Sequence, residues 1–103
     1  MSNAQQIAET ILAQLGGARF VAMTGASNML HGEKHLQCKL GRGALNGITH
    51  LTVALRDDDS YDVTFHRVAK RGLDVREISR HEMVFADSLR TLVESVTGFY
   101  LNL

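Results

Sequence analysis

The strongest constraint on this chain lies in its middle, where two runs of alternating side chains flank an acidic turn. Leu51, Val53 and Leu55 alternate with polar or small residues, the turn DDDS follows, and then Tyr61, Val63 and Phe65 alternate again. Successive side chains of a strand point to opposite faces, so each run has one apolar face and one wet face. Pairing Leu55 with Tyr61, Val53 with Val63 and Leu51 with Phe65 keeps every apolar side chain on one side of a hairpin. A slip of one residue would turn that whole set into water. The greasy face then has to be covered, and the two ends of the chain offer helices to cover it.

At the N-terminus, Ser2 and Gln5 have the spacing of a capping box. Ile7, Ile11, Leu12 and Leu15 follow at helical spacing, and Gly16 and Gly17 stop the helix because glycine takes the left-handed conformation past a helix end. Residues 18–24 read as a strand running directly from that stop. Residues 34–40 alternate, with Leu36, Cys38 and Leu40 inward and His35, Gln37 and Lys39 outward. GRGALNG at 41–47 reads as a loop, and residues 48–56 and 61–68 form the hairpin. Residues 73–78 read as a short edge strand after a turn at 70–72. Ser79 and Glu82 suggest a second capping box, ahead of a helix whose stripe is Phe85, Ala86, Leu89, Leu92, Val93 and Val96 and whose stop is Gly98. The expected fold is α+β over residues 1–103 as a single domain. It has two layers: an antiparallel three- to four-stranded meander sheet, with an N-terminal and a C-terminal helix packed on one face.

Composition narrows the function classes. With 103 residues, 45% hydrophobic and 21% charged, the chain is an ordinary globular domain in content. Its formal net charge is zero, which argues against attachment to nucleic acid or anionic lipid through bulk charge. No apolar run approaches the roughly 20 residues needed to span a bilayer, and no secretory pattern opens the chain. The expectation is a cytoplasmic protein with no membrane partner. The single Cys38 points inward by alternation and is expected to behave as a small, inert hydrophobe.

Candidate chemistry is sparse. MTGAS at 23–27 lacks the second glycine and the lysine of a phosphate loop, and Ser27 lacks the glycine frame of a nucleophile elbow. A structural turn is expected there, with Thr24 and Ser27 bonded to local backbone. His50 and His66 face each other on the polar side of the hairpin, and His35 shares that facing if its strand is adjacent. Three imidazoles on neighbouring strands would suit zinc or a proton switch, and equally an uncharged wet strand face beside Thr52 and Thr64. No cofactor-binding pattern is present. DDDS lacks the spaced acids of a calcium loop and reads as a solvated turn. The segment at 66–81 is basic, with His66, Arg67, Lys70, Arg71, Arg76, Arg80 and His81 against two acids, Asp74 and Glu77. Lys34, Lys39 and Arg42 add to it if their strands are adjacent. Such a surface suits phosphates or an acidic protein, and edge-strand charge also serves to prevent aggregation. The tail FYLNL is too apolar to be left in water, so it is expected to fold over the core or to lie in an interface.

Three stretches, ILAQLGGARFVAMTGAS, NGITHLTVAL with YDVTF, and VFADSLRTLVESVTGFYLNL, together resemble a family of small phage and prophage proteins without assigned catalytic residues. Its members look alike in a QLGG…MTGA start, an NGI-led hairpin and a helix ending in TGLY, where this chain has Phe99 in place of Leu. The resemblance spans nearly the whole chain and implies a mobile-element accessory protein acting in the host cytoplasm. The leading expectation is therefore a non-enzymatic protein that works through contact with a host or phage protein, or as a homodimer. Its candidate contacts are Arg67, Lys70, Arg71, Arg76, Phe99, Tyr100 and Leu101. Nucleic-acid binding through residues 66–81 is the alternative, and a small histidine- or metal-dependent enzyme using His35, His50 and His66 is the third reading.

Overall fold

A computed structural model describes residues 4–69 and 74–99. The chain forms helix α1 (Ala4–Leu15), helix α2 (Ala18–Thr24), strands β1 (Ser27–His31), β2 (His35–Lys39), β3 (His50–Leu55), β4 (Tyr61–Val68) and β5 (Val75–Val84), and helix α3 (Ala86–Thr97). The five strands form one sheet in sequence order, and every neighbouring pair is antiparallel. The α+β class, the antiparallel meander and the terminal helices packed against the sheet agree with the sequence reading. The sheet has five strands rather than three or four.

The hairpin register is the expected one, with Leu51 opposite Phe65, Val53 opposite Val63 and Leu55 opposite Tyr61. Its inward residues meet Ile11 and Leu15 of α1, Phe20 of α2, Leu36 and Cys38 of β2, and Leu89 and Val93 of α3 in one buried cluster. Helix α1 packs on β2 and on α3, so the two terminal helices also cover one another. Tyr61 is buried in this layer, and its hydroxyl donates to Gln14 Oε1 at 2.5 Å, tying the start of β4 to α1. A buried phenol needs such a partner, and Gln14 supplies it.

Three expectations are corrected. Residues 18–24 are helical, not a strand. Phe20 and Thr24, four apart, both turn fully inward, and the Thr24 hydroxyl donates to the Phe20 carbonyl at 2.7 Å, as a helical turn requires. The first strand instead follows Gly25, over residues 27–31, with a bulge in its pairing to β2. Ser79 and Glu82 do not cap a helix, because both lie in β5, which runs on to Val84; the residue preceding α3 is Phe85, with no side-chain cap. Two register shifts along β5, one of them beside the left-handed Met83, break its alternation and hide a ten-residue strand from a period-two reading. The expected capping box at Ser2 lies outside the described residues. The stops at Gly16 and Gly98 agree with the expectation: α1 ends at Leu15, and Gly98 takes the left-handed conformation after α3.

Candidate binding surface at the 41–47 loop

The antiparallel order gives the sheet two ends with different charge. At one end lie the turns at 32–34 and 56–60. Here cations and carboxylates pair: Lys34 with Asp57 at 3.2 Å, Arg56 with Asp62 at 2.9 Å, and Arg80 with Asp62 and Glu82 at 3.7 and 3.6 Å. The acidic turn bonds to itself. Asp58 Oδ1 accepts from the backbone N–H and the hydroxyl of the fully buried Ser60, and the Arg56 N–H donates to the Ser60 carbonyl at 2.8 Å. Those two bonds from Ser60 hold the Asp58 carboxyl below its ordinary value. The turn is solvated as expected, with Asp57, Asp58 and Asp59 exposed, and it is also fixed by these hydrogen bonds around the buried Ser60.

The other end carries the 41–47 loop, the ends of β2 and β4, and the start of β5. Lys39, His50, His66 and Glu77 stand in one row across β2 to β5. Arg67 stands opposite Arg76, a like-charge cross-strand pair, which is unfavourable. Among the described residues no carboxylate forms an ion pair with Lys39, Arg42, Arg67 or Arg76. A neutral chain therefore folds into a polarised one.

The loop itself is tied down from several sides. Gly41 donates its N–H to the Thr24 carbonyl at 2.7 Å, which fastens the loop's start to the end of α2. A single 3-10 turn, Leu45–Gly47, follows, with Asn46 and Gly47 at positive φ. Arg67 lies over Gly47, where an added Cβ would stand 3.3 Å from its Cδ, and Leu45 lies against Gly98 at the end of α3. Phe99 approaches Gly43 within 3.9 Å of the same construction. Leu45 is nonetheless 52% exposed. After the loop, the Thr49 hydroxyl takes the N–H of Val68 at 2.8 Å and shares a 2.7 Å bond with His50 Nδ1. Burial, then Lys39, then His66 push the His50 imidazole below its ordinary value of 6.5.

The sequence-derived candidates divide as follows. Arg67 and Arg76 stand side by side, and Phe99 reaches the opposite flank of the loop that Arg67 covers. Lys70, Arg71, Tyr100 and Leu101 lie outside the described residues. His50 and His66 face each other as expected, but His35 does not join them: it pairs with Ala54 at the far end of β2, its ring lying against Gly32. The three-histidine cluster is corrected on that ground, because shared facing on a sheet does not place residues at the same height along it. Among the described residues no group of three histidine, cysteine, aspartate or glutamate side chains could hold a metal ion. Cys38 is buried, and burial pushes its thiol up to about 12. Leu45 was missed by sequence reasoning. Its signal was a large apolar residue inside a glycine-rich loop, where nothing in the local pattern provides cover.

No family model, curated protein or solved structure matches this chain. No helix among the described residues is long and apolar enough to cross a membrane.

Proposed function

We propose that this chain is a non-enzymatic binding protein of a phage or other mobile element, working in the host cytoplasm through contact with another protein or with a second copy of itself. The observation that carries this reading is the grouping around the Leu45–Gly47 turn. An exposed leucine and the aromatic Phe99 lie on one flank, and Arg67, with Arg76 opposite it, lies on the other. Protein interfaces concentrate their binding energy in apolar or aromatic anchors and arginine, and are depleted in lysine and acids at their centre. The sequence resemblance described above supports the mobile-element setting.

The test compares wild type with the double variant Leu45→Asp, Arg67→Glu. Light scattering at high concentration reads self-association, and retention from host extract reads a foreign partner. Wild type is expected to dimerise or to retain a defined protein, and the variant to lose it while keeping its circular dichroism. A strictly monomeric wild type that retains nothing beyond what the variant retains would sink the proposal.

The adjacency of Arg67 and Arg76 also favours a second reading, nucleic-acid binding along residues 66–81. That reading expects retention of DNA or RNA that weakens steeply with salt, since phosphate contacts release counterions. Charge reversal at Arg67 and Arg76 without effect on retention would remove it.

A further inference from the structure

Behind the 41–47 loop lies a cleft that the contact surface does not use. It encloses about 580 Å³, within the usual range of small-ligand sites, and its walls come from β1, β2, the loop and the end of β4. Its lining is mixed, with Leu40, Ala44, Ile48 and Val68 giving apolar surface and Asn28 and Thr49 adding uncharged polar groups. The charged or titratable groups on its walls are Lys39, Arg42 and His50, and no carboxylate lines it. Among the described residues the backbone N–H groups of Arg42, Gly43 and Ala44 have no hydrogen-bond acceptor.

We infer that this cleft binds the phosphoryl group of a small phosphate ester, with Lys39 and Arg42 as its cations and His50 as the third, titrating donor. A glycine-bearing loop lets backbone N–H groups approach an anion closely, and Arg42 supplies a planar fork suited to phosphate oxygens. The apolar wall supplies contact for the rest of the ligand. Each structural oddity of the place then has a reason. The cations here lack the carboxylates that neutralise those at the other end of the sheet, and the exposed backbone of Arg42 and Gly43 on the cleft wall is open to an incoming acceptor. His50 is flanked by Lys39 on β2 and His66 on β4, with Glu77 on β5 beyond His66 as the nearest acid in the row. A phosphate dianion placed beside Lys39 and Arg42 reverses the sign of the field at that imidazole and favours its protonation.

The inference stands apart from the protein-contact reading, because it uses neither Leu45 nor Arg67. Its test is a histidine titration followed by NMR on the full chain, at constant ionic strength, in chloride, in inorganic phosphate and in a 5′-mononucleotide. The His50 midpoint is expected to rise by about 0.5 pH or more in phosphate and in the mononucleotide, while His31 stays where chloride puts it. The mononucleotide is expected to bind at least tenfold tighter than inorganic phosphate, because it also fills the apolar wall. Lys39 and Arg42 are both exposed, so Lys39→Ala with Arg42→Ala leaves the fold intact and abolishes the rise. An unmoved His50 in both ligands overturns the inference. So does equal movement of His31 and His50, which marks bulk screening. Retention of a single-stranded oligonucleotide without any response to the monoester also overturns it, since the cations would then be tracking a phosphodiester backbone.

Discussion

Replacing Gly41 with alanine tests the join between the helical layer and the loop that carries both sites. The glycine is not there for positive φ. Its role is close approach: an added Cβ would stand 2.8 Å from the Thr24 carbonyl oxygen and 3.2 Å from Gly25 Cα, and both are backbone atoms that cannot swing aside. Gly41 also donates its own N–H to that Thr24 carbonyl at 2.7 Å, so any shift that relieves the clash stretches the bond that fastens the loop. Overpacking of a well-fitted position costs about 1–3 kcal/mol, and a lost backbone hydrogen bond adds about 1, for a total of about 2–4 kcal/mol. For a domain of this size, with a urea dependence of about 1 kcal/mol per molar, the unfolding midpoint should fall by about 2–4 M. Gly17→Ala is the control. That glycine has φ of 60° and ψ of −130°, outside the left-handed helical region and open essentially to glycine alone, with nothing within 4 Å of an added Cβ, so its cost is backbone strain without any clash, about 1–3 kcal/mol. Equilibrium urea unfolding followed by circular dichroism reads both variants. If Gly41→Ala lies within about 0.5 kcal/mol of wild type, the argument from backbone approach is wrong.

Two further outcomes follow from buried or bonded groups. Cys38, with its thiol pushed up to about 12 by burial, should be unreactive toward a thiol-exchange reagent at pH 8 in the folded state. It should react fully in guanidinium, and rapid labelling of the native protein would show that β2 is not closed over it. Asp58 is held below its ordinary value of 3.8 by the two bonds from Ser60, so the unfolded chain takes up that proton first. Its stabilising contribution is therefore present above 3.8 and is lost as pH falls through the lowered folded value. Asp58→Asn should flatten the acid limb of a melting-temperature profile below pH 3.8 and leave the shape of the neutral region unchanged; an unchanged acid limb would count against that assignment.

The alternation of residues 50–66 and the short DDDS turn together determined the hairpin, its register and the facing of His50 toward His66, because a period of two fixes the buried face and the turn length selects the pairing of Leu51, Val53, Val63 and Phe65. The burial of Cys38, the glycine stops of the two terminal helices and the layer arrangement were legible for the same reason: each depends on the pattern of a single element. Where a segment was short or irregular, local pattern failed. ARFVAMT is an apolar run short enough to fit strand or helix, and what made it α2 is the space under the sheet that Phe20 and Thr24 fill together. The spacing of Ser79 and Glu82 imitates a helix start, yet β4 already offered a free edge, and pairing with it carried β5 past both residues through two bulges.

The candidate sites show the same division. Arg67, Arg76 and Phe99 could be singled out as exposed or unplaced residues, and the 41–47 stretch as a loop, but nothing local says that these belong to one place. Only the folded chain decided that α3 ends beside this loop, that β4 and β5 set two arginines opposite each other, and that His35 stands at the wrong height to join the other histidines. Faces are set by neighbours in sequence, and a helix or strand reports them directly. Proximity between distant segments is set by how all the elements share one core, so it exists only once that core has formed.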